Sequence, residues 1–253
     1  MVRVISVHSF RGGTGKSNLT ANLAVQLAQR GQHVGVVDTD IQSPGIHVLF
    51  GLAGPQIQAT LNDHLFSGRP IGEVAHDVTP EAVSGSIHLV PSSVRPGEIS
   101  RVLRDGYDAQ QLVRGLRELV DELALDTLLV DTHPGLGEET LLALVISDTV
   151  LMVLRPDQQD YEGTGVIVEV ADNLGVPRRA LVVNKVPPAL DPADLRARVE
   201  KAYGAAVVGL VPHDDAVMSL ASADVFTLRY PGHPFTTAVS EVTDFVVNGR
   251  ADE

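Results

Sequence analysis

The sequence contains no cysteine, which excludes disulfide bonds and thiolate metal sites. This absence fits a reducing compartment such as the cytoplasm. Long hydrophobic runs are also missing, because the apolar stretches are of strand length and are interrupted by glycine, proline or charged residues. We expect no signal peptide, since strand residues already begin at Val2 and no cleavage-like site follows.

Positively charged residues are few compared with negatively charged ones. The chain has 19 Lys and Arg against 32 Asp and Glu, a formal net charge of −13 at pH 7. Because binding to a phosphate backbone needs clustered cations, this balance disfavours DNA as a partner. Some arginines do cluster, although such groups are usually a solvated helix face. They are Arg101, Arg104, Arg114, Arg117, Arg178 and Arg179.

The end of the sequence, SEVTDFVVNGRADE, has the same shortage of positive charge. A helix that binds an anionic membrane surface needs basic residues on its polar face. We therefore expect a last helix over 235–247 that ends in an acidic tail and does not bind membranes stably.

Short apolar strands alternate with helical segments along the chain. Strands are predicted at 2–9, 33–38, 87–91, 126–131, 149–154, 180–184 and 206–211, and an arginine-bearing helical segment is predicted to run to about residue 123. Apolar, largely β-branched strands joined by helices predict an α/β fold with a doubly wound, mostly parallel sheet flanked by helices. With 253 residues, 44% of them hydrophobic, and no evident linker, we expect a single domain over 1–253.

A glycine-rich segment, FRGGTGKS at residues 10–17, lies between the first predicted strand and the first predicted helix. Such a turn offers free backbone N–H groups and a favourable helix dipole to a phosphate. Lys16 is placed to reach terminal phosphates, and Ser17 to put its hydroxyl on Mg²⁺. The usual phosphate-loop pattern, G-x-x-x-x-G-K-[ST], is incomplete because Phe10 occupies its first position.

RGGTGKS resembles the deviant Walker A loop, K-G-G-x-G-K-[ST], of the MinD/ParA family of ATPases. The resemblance implies that ATP and Mg²⁺ are the ligands. The residues it implies for nucleotide binding are Gly12, Gly13, Thr14, Gly15, Lys16, Ser17 and Asn18. Arg11 replaces the first lysine of the family's loop. In the family this lysine reaches across a dimer to the partner's nucleotide, and the guanidinium of Arg11 keeps its positive charge. The alternative is an exposed arginine at the mouth of the loop.

Two acidic segments follow strands whose carboxyl ends meet at the ligand-binding edge of a parallel sheet. DTDIQSP (residues 38–44) resembles the family's switch I, and DTHPG (residues 131–135) resembles its Walker B aspartate and switch II. The resemblance implies that Asp40 polarises the attacking water and that Asp38 and Asp131 orient and hold Mg²⁺. His133 stands where the family usually has proline.

The residues expected to contact the base come later in the chain. Asn184-Lys185 is similar to the N-K-x-D guanine signature of GTPases, but Pro187 replaces the aspartate that reads guanine. In the MinD/ParA family the asparagine at the strand end contacts adenine, and Pro212 with Asp214 resembles the opposite wall of that pocket. The sequence therefore favours ATP over GTP.

Taken together, the resemblance implies a cytoplasmic ATPase that dimerises on ATP and hydrolyses it slowly, with stimulation by a protein partner. Such a protein serves as a switch that positions or assembles that partner, which the sequence does not identify. The family's iron–sulfur carriers need cluster-binding cysteines, and this chain has none.

Two alternatives use the same scaffold. One is a metabolic ATP-dependent synthetase or kinase similar to dethiobiotin synthetase, for which steady turnover without a partner and no ATP-driven dimer would be expected. The other is a nucleotide-gated scaffold that does not hydrolyse ATP, so that the bound nucleotide would survive indefinitely.

We predict that ATP and ADP bind with dissociation constants on the order of micromolar and that GTP binds more weakly. The reason is that Asn184 is present, whereas Pro187 replaces the acid that would pair with the guanine amino group. Calorimetric titration measures both nucleotides under the same conditions. GTP binding as tight as that of ATP would contradict the adenine assignment.

Overall fold

The computed structural model describes residues 2–52, 54–220 and 222–249. Its strands are β1 (Arg3–His8), β2 (His33–Asp38), β3 (His76–Asp77), β4 (Ser86–Val90), β5 (Thr127–Asp131), β6 (Thr149–Leu154), β7 (Arg178–Val186) and β8 (Ala206–Pro212). Its α-helices are α1 (Lys16–Gln29), α2 (Ile46–Leu49), α3 (Leu61–Ser67), α4 (Pro96–Asp105), α5 (Ala109–Glu122), α6 (Glu138–Ile146), α7 (Gln158–Asn173), α8 (Pro192–Tyr203), α9 (Asp215–Ser219), α10 (Phe226–Arg229) and α11 (Pro234–Asn248). Two 3₁₀ turns lie at Gly54–Gln56 and Ile71–Val74.

The strands form one sheet in the order β3-β4-β2-β5-β1-β6-β7-β8. Neighbouring strands are parallel except for the short pair β3 and β4. This confirms the predicted doubly wound, mostly parallel sheet. The strands β2 to β5 lie on one side of β1, and β6 to β8 lie on the other side. A ligand crevice is expected where the strand order switches sides, at the carboxyl ends of the strands.

Alternate residues of each strand pack against helices on opposite faces of the sheet. In β5, Leu129 joins the core formed with α1, α2, α10 and α11. Leu128 and Val130 join the core formed with α3, α5 and α6. At the other end of the sheet, β6, β7 and β8 pack against α7 and α8. Burial on both faces explains why strands such as β5 and β6 are almost entirely apolar rather than alternating.

Some elements differ from the sequence prediction. The arginine-bearing segment is two helices, α4 and α5, because Gly106 has a φ of 65° and ends α4, and Asp108 then caps α5 by accepting the Gln110 N–H. β7 extends two residues beyond the prediction, to Val186. The acidic tail at 250–253 lies outside the described residues. Within those residues, none of the helices combines the length and apolarity needed to cross a membrane.

Phe10, the residue at the irregular position of the glycine-rich loop, packs against α7 at Gly163. A Cβ built on Gly163 would collide with the Phe10 ring, whereas one on Gly165 would lie 3.7 Å from Tyr203 Cε1, an ordinary contact. Phe10 thus anchors the loop to α7 through a glycine.

We predict that Gly163→Ala lowers the free energy of unfolding by about 1–3 kcal/mol, because the Phe10 ring must move. Gly165→Ala, the control in the same helix, should raise it by about 0.5–1 kcal/mol. Urea denaturation measures both variants. Equal stabilisation by the two substitutions would show that Phe10 does not pack at this position.

Candidate functional site

The glycine-rich loop leads into the N-terminus of α1. Gly15 is the residue before the helix, with a φ of 92°, and no side chain of the described residues caps this end. The first turn also contains no acidic residue. The free N–H groups and the helix dipole therefore face a space suited to an anion.

Lys16, the first residue of α1, forms a buried ion pair with Asp131 at the end of β5. The distance from Lys16 Nζ to Asp131 Oδ1 is 2.8 Å, and the two side chains are 6% and 1% exposed. The hydroxyl of Thr20, one helical turn after Lys16, lies 3.2 Å from the same oxygen and 3.0 Å from the Lys16 carbonyl. The other oxygen, Oδ2, is buried without a hydrogen-bond partner among the described residues.

Asp38, at the end of β2, lies beside Asp131 because the two residues pair in the parallel register. Its carboxylate accepts the backbone N–H groups of Asp40 at 3.0 Å and Gly45 at 3.3 Å. Burial, and next the negative charge of Asp131, raise the pKa of Asp38 well above its usual value, while Lys16 acts in the opposite direction. One lysine therefore faces two buried carboxylates, an oxygen-rich arrangement that fits Mg²⁺.

A second contact joins the two acidic segments directly. The distance from His133 Nδ1 to Asp40 Oδ1 is 2.7 Å, and both side chains are mostly buried. The backbone N–H of Ser43 donates to the same Asp40 oxygen at 3.0 Å. Thr39 reinforces the junction, since its N–H donates to the Asp131 carbonyl at 2.9 Å.

His8, at the end of β1, is buried beneath these segments. Its Nδ1 lies 2.6 Å from the hydroxyl of Thr132. Burial first, and then the nearby Lys16 and His133, together lower the pKa of His8 to about 3. His8 is therefore a neutral packing residue near pH 7 and adds no positive charge to the site.

Arg11 lies over the start of α7. Its guanidinium donates to the Gln159 side chain and lies 3.8 Å from Asp160 Oδ1. Asp160 is already held by Arg155, whose Nε donates to it at 2.9 Å. The Arg11 side chain remains 40% exposed, so it is available at the mouth of the loop.

The residues predicted to bind the base line one cavity of about 230 Å³ next to the loop. They are Asn18, Asn184, Pro212 and Asp214. Val217, Met218 and Phe235 supply apolar lining. The structure thus brings together residues from α1, β7, the end of β8 and the segment that follows it.

Two of these cavity residues also have structural partners. The side-chain amide of Asn184 donates to the Thr14 carbonyl at 2.7 Å and accepts the backbone N–H of Lys185. Asp214 caps α9 by accepting the N–H of Ala216 at 2.8 Å. Asn184 therefore supports the loop as well as facing the cavity.

Sequence reasoning did not find three residues that contact the site. Lys185, with a φ of 56°, donates its ammonium to the Gly13 carbonyl at 2.8 Å. Thr20 contacts Asp131, and His8 lies below the acidic segments. The spacing of four residues between Lys16 and Thr20, which places them on one helix face, was an available signal.

Comparisons with known proteins bear on the family and the fold. The family described as an AAA domain matches residues 2–177. An uncharacterized ATP-binding protein of Methanocaldococcus jannaschii is 28% identical over 251 residues, 99% of this chain and 89% of that protein. An iron–sulfur cluster carrier protein of Pyrococcus abyssi is 25% identical over 96% of this chain and 85% of its own length. The solved septum site-determining protein MinD of Pyrococcus horikoshii, complexed with Mg-ADP, has a TM-score of 0.82 at 20% identity, covering 97% of this chain and 96% of that one.

Asp38→Asn is expected to stabilise the protein near neutral pH in the absence of nucleotide. The unfolded chain ionises Asp38 at its usual pKa of about 3.9, whereas burial and Asp131 hold the folded-state pKa higher. As pH rises between the two values, the parent loses about 1.4 kcal/mol of stability per pH unit. The asparagine variant avoids this loss.

Thermal unfolding across a pH series measures the effect. The stability difference between Asp38→Asn and the parent should grow as pH rises above the unfolded-state pKa and be small below it. A difference that does not change with pH would contradict the assigned electrostatics.

Proposed function

Because the chain belongs to the AAA domain family and has the fold of the MinD and ParA ATPases, we propose that it binds Mg·ATP and uses the nucleotide as a dimerisation switch. In this proposal it hydrolyses ATP slowly, with stimulation by a protein partner that it positions or assembles in the cytoplasm. The observation that carries the proposal is the buried cluster of Lys16, Asp131 and Asp38 beneath the free N-terminus of α1.

The phosphates would bind to the backbone of residues 12–18. Lys16 would move its ammonium from Asp131 to the terminal phosphate, a short step for a side chain at the first position of the helix. Ser17, Asp38 and Asp131 would hold Mg²⁺. Within the described residues Oδ2 of Asp131 has no partner, and burial, then the charge of Asp131, raise the pKa of Asp38. Both observations support this role, because a bound cation would offset the buried negative charge. When bound, Mg²⁺ would neutralise negative charge on the phosphate oxygens.

Adenine would occupy the cavity lined by Asn18, Asn184, Pro212 and Asp214. Its apolar lining suits a base face, and its position next to Gly15 suits a nucleotide whose phosphates lie on the loop. In this arrangement Asn184 would contact the base and also support the loop, because its side-chain amide donates to the Thr14 carbonyl.

Hydrolysis would depend on Asp40, whose carboxylate polarises the attacking water. Asp40 lies in the segment after β2, on the same edge of the sheet as Lys16 and Asp131. Asp40→Ala should therefore keep Mg·ATP bound and lose turnover. Asp131→Ala should instead weaken the magnesium site.

Arg11 would supply the link between two subunits. Two triphosphates facing each other across a dimer repel, and a cation from each subunit reverses this repulsion only when the γ-phosphate is present. Because the Arg11 side chain is 40% exposed, its contacts with Gln159 and Asp160 could exchange for a phosphate.

The iron–sulfur carrier role in the name of one relative is not part of this proposal. Cluster ligation in such proteins uses cysteine thiolates, and the chain contains none. The shared sequence is better explained by a common ATPase scaffold.

Light scattering tests the dimer switch in the Asp40→Ala background, where ATP is retained. We predict a monomer without nucleotide or with ADP and a dimer with ATP. Adding Arg11→Ala should abolish the dimer while leaving ATP affinity within about tenfold, and Arg11→Lys should largely restore it. Arg104→Ala, an exposed arginine of α4, is the control and should leave the dimer intact.

An Arg11→Ala protein that still dimerises with ATP would remove Arg11 from the interface. A parent protein that turns over ATP steadily as a monomer would instead favour the metabolic synthetase or kinase.

A further inference from the structure

We propose that His133 is a positioning residue that fixes the carboxylate of Asp40 for ATP hydrolysis. The inference rests on the proposed ATPase function. It explains a departure from the family pattern, because His133 occupies the position where proline is usual. Proline has no side-chain donor, so a proline at this position could not make the contact with Asp40.

The contacts of Asp40 are divided unequally between its two oxygens. Oδ1 accepts from His133 Nδ1 at 2.7 Å and from the backbone N–H of Ser43 at 3.0 Å. No donor from the described residues is within hydrogen-bond distance of Oδ2, and the Asp40 side chain is 11% exposed. Because a carboxylate is planar, fixing Oδ1 with two donors also fixes the direction in which Oδ2 can accept a proton.

The His133 backbone is itself held in place on both sides. The hydroxyl of Thr140, in α6, donates to the His133 carbonyl at 3.2 Å. The preceding residue, Thr132, donates its hydroxyl to the Val7 carbonyl of β1 at 3.1 Å. The N–H of Gly135 donates to the Ser9 carbonyl at 3.1 Å. The ring is therefore presented to Asp40 from a segment fixed to β1 and α6.

The contact is separate from the nucleotide-binding groups. His133 makes no hydrogen bond to the loop residues 12–18 within the described chain, and Lys16 is paired with Asp131 rather than with Asp40. Removing the imidazole should therefore leave ATP bound. It should free Asp40 to rotate about its side-chain bonds, so that Oδ2 no longer has one fixed direction.

The test compares His133→Asn with His133→Leu, two side chains of similar shape. Asparagine can place its amide nitrogen near the position of Nδ1, whereas leucine has no donor. In single-turnover assays, His133→Leu should lower the hydrolysis rate about tenfold or more, the effect of losing a hydrogen bond to a charged group. His133→Asn should recover the rate to within about threefold of the parent.

Two further measurements separate positioning from a general structural effect. The dissociation constant for ATP should change less than about threefold in both variants, so that the loss is confined to the rate. In the Asp40→Ala background, His133→Leu should cause no additional loss, because the residue acts through Asp40. His33→Ala, at the opposite end of β2, is the control and should match the parent.

The outcomes are distinct. A parent protein that binds ATP but never hydrolyses it overturns the proposed function, and this inference with it. A parent that hydrolyses ATP alongside an equally active His133→Leu overturns the inference alone. Equal losses for leucine and asparagine also overturn it, because the donor would then be irrelevant. Should His133→Leu fail to fold, His133→Ala takes its place as the variant without a donor.

Discussion

The buried contact between Lys16 and Asp131, with Asp38 beside it, is the constraint on which the rest of the site depends. Three ionisable side chains are packed where the carboxyl ends of β2 and β5 meet the start of α1. Burying a charge is expensive unless it is paired, and here one cation serves two carboxylates. Burial, and next the charge of Asp131, raise the pKa of Asp38, and Oδ2 of Asp131 has no hydrogen-bond partner among the described residues.

The same constraint connects the loops that surround the cluster. Parallel pairing of β2 with β5 sets Asp38 opposite Asp131, and the segments that follow these strands then lie side by side. The contacts of Thr39 with Asp131 and of His133 with Asp40 continue this pairing beyond the sheet. Asp131 therefore lies next to both segments, so a change in its charge can affect them directly.

The sequence was sufficient for the parts governed by local patterns. The bounds of β2 and β6 agree with the prediction because short runs rich in valine and leucine form the centre of both strands, and the loop before α1 is specified by its glycines. Elements of two to four residues, such as β3, α2 and α10, were missed because so short a stretch shows no periodicity.

Contacts between distant residues were harder to predict. The pairing of Lys16 with Asp131 spans 115 positions, and the contact of His133 with Asp40 spans 93. Both depend on strand order, which brings β5 between β1 and β2. The sequence showed that His133 was unusual, but only the fold shows that its ring faces Asp40.

On this view, Mg·ATP completes the cluster of Lys16, Asp131 and Asp38. The most direct measurement is calorimetric titration of ATP with Mg²⁺ and with a chelator, using the parent protein and Asp131→Asn. Mg²⁺ should tighten ATP binding to the parent by about tenfold or more, and this gain should be largely lost in Asp131→Asn. An equal gain from Mg²⁺ in both proteins, or none in the parent, would contradict the account.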